Sequence, residues 1–327
     1  MRAPVCRAVI KKLIADGNTV IGTVRDLSAN DNVTKLGAKL VQLQLHDSAA
    51  LVKTFKNADG VFHMAAVHPE YGFEKTPEGR EGMLKTAVDG TTTVIAAAKK
   101  AGVKRVVLTS SLAAVECGND EGVLTEATWS KPEVYDKPRN LNRGQWSTHY
   151  TYVKSKVEQE KAAVAEAERH GLDLRVVVPG NLVIGPIESK GINGTMTRLR
   201  DIMSGTNTLK GAADLAIVHV ADVVAAHAKC MSDDSASGRY IVAQDMTKIE
   251  DVFTALKELY PKHHVADLEN QDIASGVAGK ARKIGSRVGS LGLELQPFKA
   301  ALKDAVDSMI ANNLVESTNV KRRKIAA

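Results

Sequence analysis

Two hydrophobic patterns alternate through the first half of the chain. Short β-branched runs at 18–25 (NTVIGTVR), 39–45 (KLVQLQL), 60–66 (GVFHMAA), 104–110 (KRVVLTS) and 173–178 (DLRVVV) are separated by stretches whose apolar residues recur every three or four positions. That alternation predicts a doubly wound α/β fold, a parallel sheet with helices on both faces. Met83, Ala87, Val88, Val94, Ile95 and Ala98 mark one such helix, and Gly102 is placed to end it. In open sheets of this kind, ligands bind along the edge formed by the C-terminal ends of the strands.

Beyond residue 180 the pattern loosens. Helical periodicity returns at 221–232, 249–259 and 299–312, with one strand-like run, RYIVA, at 239–243. The expected organisation is a Rossmann-like domain over 1–180, a smaller and mostly helical substrate lobe over 181–315 with elements returning to the main domain, and a basic tail over 316–327.

The start of the chain departs from the usual order of a dinucleotide fold, which is strand, glycine-rich turn, helix. Val5, Val9, Ile10, Leu13 and Ile14 share one helical face and Gly17 stops it, so the chain opens on the helix. In a sheet of order 3-2-1-4-5-6 the absent first strand is central. The runs at 18–25 and 60–66 then lose the neighbour between them, at a cost on the order of several kcal/mol in unpaired backbone groups. The expectation is a sequence incomplete at its start.

Composition narrows the class without changing this picture. With 327 residues, 44% hydrophobic and 25% charged, the chain reads as an ordinary globular protein. Cys6, Cys117 and Cys230 show neither disulfide nor zinc spacing, so a reducing cytoplasm and no metal are expected. The net charge of +6 is spread over helix-like segments apart from KRRK at 321–324, which reads as a solvated tail rather than a nucleic-acid or membrane contact. No apolar run approaches the roughly 18 residues of a membrane helix.

Candidate chemistry lies in YVKSK at 152–156. Tyr152 and Lys156, four apart at the start of a strongly helical stretch, would sit side by side. An adjacent cation favours phenolate and makes the phenol a usable proton donor near neutral pH. Tyr150 and Lys154 form an overlapping pair, so spacing alone does not choose between them. Context comes from RVVLTSS, whose Thr109, Ser110 and Ser111 end a strand where hydroxyls can hold a substrate carbonyl. His63 and His219 read as satisfied structural histidines.

The ordered stretches TVRD (23–26), DGVFHMAA (59–66), VDGTTTVIAAAKKAGVKRVVLTSSLAAV (88–115), YVKSKVEQEKAA (152–163), VVVPGNLVIGP (176–186), VHVADVVAAH (218–227) and GRYIV (238–242) resemble the extended short-chain dehydrogenase/reductases, also called the NAD-dependent epimerase/dehydratase superfamily. Within it they are most similar to the dihydroflavonol reductase and cinnamoyl-CoA reductase branch, over about residues 6 to 315. The resemblance implies Ser111, Tyr152 and Lys156 as the catalytic serine, tyrosine and lysine, with Lys156 also on the nicotinamide ribose. It selects Tyr152 over Tyr150, because only Tyr152 has Ser155 directly before its lysine. It further implies a cofactor lying along Ala65, Ala66, Ser110, Pro179 and Asn181. Arg25 stands where NAD enzymes carry an acid, so a 2'-phosphate, and hence NADPH over NAD, is favoured.

Departures are equally specific. The family's GxxGxxG turn is absent, Gln44 replaces the usual adenine-side acid, and Glu116 and Cys117 follow the TSS strand where plant enzymes differ, so a flavonoid substrate is not implied. The leading expectation is an NADPH-dependent reductase of a small or medium carbonyl compound. Two alternatives remain open: a nucleotide-sugar epimerase or dehydratase with retained NAD, and a catalytically silent dinucleotide-fold module used for binding or regulation.

Overall fold

Strand and helix alternate along the first 180 residues as the patterning requires. The computed structural model describes residues 4–28, 31–65, 77–133, 143–187, 192, 194–206, 214–268 and 282–316. Its first half runs α1 (Pro4–Ala15), β1 (Ile21–Val24), α2 (Asp31–Thr34), β2 (Lys39–Gln42), α3 (Ser48–Phe55), β3 (Gly60–His63), α4 (Pro77–Lys100), β4 (Arg105–Thr109), β5 (Gly122–Leu124), α5 (Arg143–His170) and β6 (Asp173–Pro179). There follow β7 (Leu182–Ile184), α6 (Gly194–Met203), β8 (Asp214–Leu215), β9 (Ile217–His219), α7 (Val220–Ser232), β10 (Gly238–Val242), β11 (Thr247–Lys248), α8 (Ile249–Leu259), β12 (Arg282–Ile284) and α9 (Phe298–Ala311). Gly17 at φ +84° and Gly102 at φ +80° end α1 and α4 in left-handed conformations that a side chain would strain.

The main sheet has the order β10-β6-β4-β3 and is parallel throughout. Its two central strands show the two-residue period of a sheet covered on both faces. Val106 and Leu108 of β4, with Val176 and Val178 of β6, face α4 and α5 through Val94, Ile95, Ala98, Ala163 and Ala167. Val107 and Val177 point the other way, onto Val223, Ala226 and Cys230 of α7. A second core joins α6, α8 and α9 through Leu199, Ile202, Phe253, Leu256, Leu302 and Val306. β10, although late in the chain, returns to pair with β6.

Among the described residues, β1 pairs only with β2 and β3 only with β4. The separation expected between the first and third strand runs is therefore present as a sheet in two pieces. The smaller piece is held by its own cluster, in which Ile10, Val33 and Ala38 pack with Ile14, Val20 and Leu40. Its strand edge is open enough that Ile21 is 45% exposed, against 0–1% for Val106, Val107 and Leu108. Fewer buried contacts mean a lower local opening energy. Amide exchange of Gly22 to Val24 is expected to run at least about tenfold faster than that of Val106 to Leu108. Equal protection in the two strands would show the two pieces to open as one unit.

Strand ends are shorter than the apolar runs. Residues 18–20 link the turn after α1 to β1, and the Asn18 side-chain amide donates to the Leu13 carbonyl. β3 stops at His63, so Ala65 lies past the strand end and is exposed. Ala66 and the KRRK segment fall outside the described residues.

Candidate active site

β4 delivers its hydroxyls to the C-terminal edge in three different environments. The Thr109 hydroxyl is 2.7 Å from Nε2 of His227, whose Nδ1 donates to the Val223 carbonyl, fixing this hydroxyl as donor. Ser110 is buried and donates to Oε2 of Glu160 at 2.5 Å. Ser111, half-buried and in extended conformation, caps the short turn Leu112–Ala114, its Oγ accepting from the Ala113 amide at 3.2 Å. It also shares a hydrogen bond with the Tyr152 hydroxyl. Ser111 and Tyr152 therefore meet although they are far apart in sequence.

α5 supplies the other half. Tyr152, Lys156 and Glu160 are spaced by four residues and share one face, turned toward the sheet edge. The Tyr152 ring packs with Ala113, Cys117 and Val153. Lys156, only 4% exposed, donates to Oε1 of Gln159 at 3.2 Å. Burial lowers its pKa to about 8, with the Glu160 charge opposing the shift. The overlapping pair behaves differently: Lys154 sits over the Tyr150 ring at 5.9 Å, a cation–π contact apart from this cluster.

One electrostatic expectation is reversed here. Burial pushes the Tyr152 phenol above its ordinary pKa, and the Ser111 hydrogen bond only partly offsets it. Lys156 donates to Gln159 and lies within the influence of the Glu160 charge. The phenol is thus held as a neutral proton donor, rather than drawn toward phenolate.

Behind this face lies a buried ion pair that the reading of the sequence missed. Glu160, fully buried, contacts Nε of Arg239 at 2.5 Å. Arg239 also donates to the carbonyls of Glu126 and Thr128, at 2.7 and 3.0 Å, and lies over the Trp129 ring at 3.9 Å. The four-residue step from Lys156 to Glu160 was a signal available in the sequence. Arg239, on a strand 79 residues further along, offered none.

The wall beyond Cys117 is polar and paired. Glu116 is buried, receives Nδ2 of Asn181 at 2.9 Å and lies 3.4 Å from Arg282, which also pairs with Asp214. Burial raises the Glu116 pKa, with Arg282 the largest opposing influence. The Asn181 carbonyl oxygen accepts from the Ala216 amide at 2.7 Å, so both ends of this side chain brace the loop after β6. Pro179 is buried at the end of β6. Arg25 is exposed at the end of β1, on the two-stranded piece of the sheet. His219 caps α7 through Nδ1, 3.1 Å from the Ala221 amide, with Asp304 at 3.4 Å from Nε2. No group of three metal-ligating side chains occurs among the described residues.

Residues 5–243 match the model of the NAD dependent epimerase/dehydratase family. The chain belongs to this family. Cinnamoyl-CoA reductase 1 of Petunia hybrida is 32% identical over 311 residues, covering 92% of this chain and 87% of that one. Among solved structures, vestitone reductase of alfalfa (Medicago sativa) superposes with a TM-score of 0.76 at 22% identity, over 95% of this chain and 96% of that one. The yeast methylglyoxal/isovaleraldehyde reductase Gre2, solved with NADPH, gives the same TM-score and identity over 95% and 97%. Family membership and the reductase relatives make the chain an NAD(P)-dependent oxidoreductase with a Rossmann-like fold.

Proposed function

We propose that the protein reduces a small or medium aldehyde or ketone with NADPH in the cytoplasm. The observation that carries this reading is the meeting of Ser111 with Tyr152 at the end of β4, on the α5 face that also bears Lys156. The side chains present suit the nicotinamide end of the cofactor, since a phenol, a buried ammonium and serine hydroxyls are donors to ribose and carbonyl oxygens. The Arg25 guanidinium at the end of β1 suits a 2'-phosphate. The pyrophosphate has no glycine-rich turn in this sequence. The bound dinucleotide supplies a hydride to the carbonyl carbon.

This chain's own residues do the rest. Ser111 holds the carbonyl oxygen by a hydrogen bond, beside the Tyr152 hydroxyl with which it already shares one. Tyr152 gives up its proton to that oxygen as negative charge develops there. Lys156, cationic below about pH 8, lowers the cost of the phenolate left behind and orients the ribose. Cys117 and the paired Glu116–Arg282 wall border the substrate side and keep unpaired charge away from the carbonyl.

The test is loss of reduced-nicotinamide absorbance when the purified full chain meets NADPH and a broad panel of aldehydes and ketones. Turnover of at least one is expected, and none at all would overturn the reading. Arg25→Ala is expected to reduce the preference for NADPH over NADH by roughly tenfold or more, the worth of one charge-assisted hydrogen bond. An unchanged ratio of kcat/KM for the two cofactors would remove Arg25 from the site.

A further inference from the structure

Four buried side chains from three elements form one directional hydrogen-bonded chain. Lys156 Nζ donates to Gln159 Oε1 at 3.2 Å. Gln159 Nε2 donates to Thr91 Oγ1 of α4 at 2.9 Å. Thr91 Oγ1 lies 2.8 Å from Nε2 of His63 at the end of β3. The Thr91 hydroxyl has one proton to donate, and the directional chain is complete when that proton goes to an unprotonated Nε2 of His63. Exposures of 4%, 3%, 1% and 4% for Lys156, Gln159, Thr91 and His63 keep all four side chains away from bulk water.

We propose that Gln159, Thr91 and His63 are positioning residues that hold the Lys156 ammonium in place for Tyr152. The chain works only in one protonation state. A protonated Nε2 would instead donate to Thr91 Oγ1, which would then accept from both neighbours, and the directional chain would end at that oxygen. The structure keeps His63 neutral, its pKa lowered to about 4 by burial and then by the nearby Lys156 charge. The titratable and charged groups around Lys156 are Glu160 and Tyr152 on its own helix and His63 on β3, with Arg239 of β10 behind Glu160. Only Gln159 gives the ammonium a neutral acceptor at hydrogen-bond distance among these contacts. The catalytic meaning of the chain rests on the carbonyl-reductase reading, whereas its existence does not.

The experiment titrates Lys156 and His63 by heteronuclear NMR in the full chain, for the parent, Gln159→Leu, Thr91→Val and Thr91→Ser. In the parent, His63 is expected as the neutral Nδ1–H form with Nε2 unprotonated throughout pH 6–8, a measurement that needs no variant to fold. The Nε2–H form there would overturn the chain. Gln159→Leu removes an acceptor from the charged form, so the Lys156 midpoint should fall by roughly half to one pH unit, less in Thr91→Val and not at all in Thr91→Ser. An unmoved midpoint in Gln159→Leu would overturn the proposal. With an active parent, kcat should fall about tenfold in Gln159→Leu and Thr91→Val, with KM unchanged and the alkaline limb of kcat displaced by the same amount as the lysine. Loss of KM alone, with the limb in place, would reduce the chain to a packing role. A parent that turns over no carbonyl, yet shows the lysine displacement, would sink the reductase reading and leave the positioning chain standing.

Discussion

Tyr152→Phe is expected to lower kcat for carbonyl reduction by about three orders of magnitude, with NADPH affinity changed little. The ring remains, so its packing against Ala113, Cys117 and Val153 survives. What disappears is the hydroxyl that Ser111 contacts and that burial holds in its protonated form. Among the described residues no neighbouring group replaces it: Lys156 donates to Gln159, and Ser111 is far too weak an acid near neutral pH. Tyr150→Phe serves as the matched control and should stay within about twofold of the parent, because the Tyr150 ring engages Lys154 instead. Steady-state rates for the two variants against one carbonyl decide the matter. A Tyr152→Phe rate above about a tenth of the parent's would mean that the proton comes from another source.

The second large effect is on stability. Glu160→Leu should cost about 3–5 kcal/mol in urea unfolding, since it strips the partner from a guanidinium that is 9% exposed. The remaining acceptors of Arg239, two backbone carbonyls and the face of Trp129, orient it without neutralising it. Removing both charges changes the sign of the argument. Glu160→Leu with Arg239→Met should recover most of the loss, because an apolar pair of similar volume carries no desolvation cost. Ser110 loses its acceptor in both variants, so recovery is expected to fall short by about 1 kcal/mol. A single-variant loss below about 1 kcal/mol, or no recovery in the double variant, would show that the pair is not the organising charge contact of this face.

Much of this is legible in the amino-acid sequence, and the reasons are local. α8 occupies 249–259 as its periodicity required, because a strongly amphipathic segment of that length has one way to bury its apolar face. β4 and the Ser-Ser step after it were equally clear, since an unbroken Val-Val-Leu run ending in hydroxyls reads as a buried strand reaching a sheet edge. The choice of Tyr152 over Tyr150 comes from family likeness; the Tyr152 ring packs with Ala113, Cys117 and Val153, while the Tyr150 ring lies under Lys154. The direction of the phenol's shift was not legible. Helical spacing placed an ammonium beside it but said nothing of burial, or of the Gln159 acceptor that also engages that ammonium. His63 was read as a satisfied histidine, which its bond to Thr91 matches, yet a partner 28 residues away carries no trace in local sequence. Asn181 was placed along the cofactor by resemblance, while its amide bridges Glu116 and Ala216, two contacts 65 and 35 residues distant.

The division of the sheet gives cofactor binding a second thermodynamic face. Arg25 rides on the two-stranded piece, whereas Ser111, Tyr152 and Lys156 belong to the four-stranded one, and no backbone ladder joins them among the described residues. A dinucleotide engaged at both ends would act as a cross-tie between two bodies otherwise coupled through side-chain packing, with α1 on α7 and Val41 and Leu43 against the main core. Its free energy of association would then be divided between contact and the ordering of one body against the other, so apparent affinity understates contact strength. Thermal midpoints should accordingly climb with the logarithm of ligand concentration once it exceeds the dissociation constant, with the smaller piece gaining most.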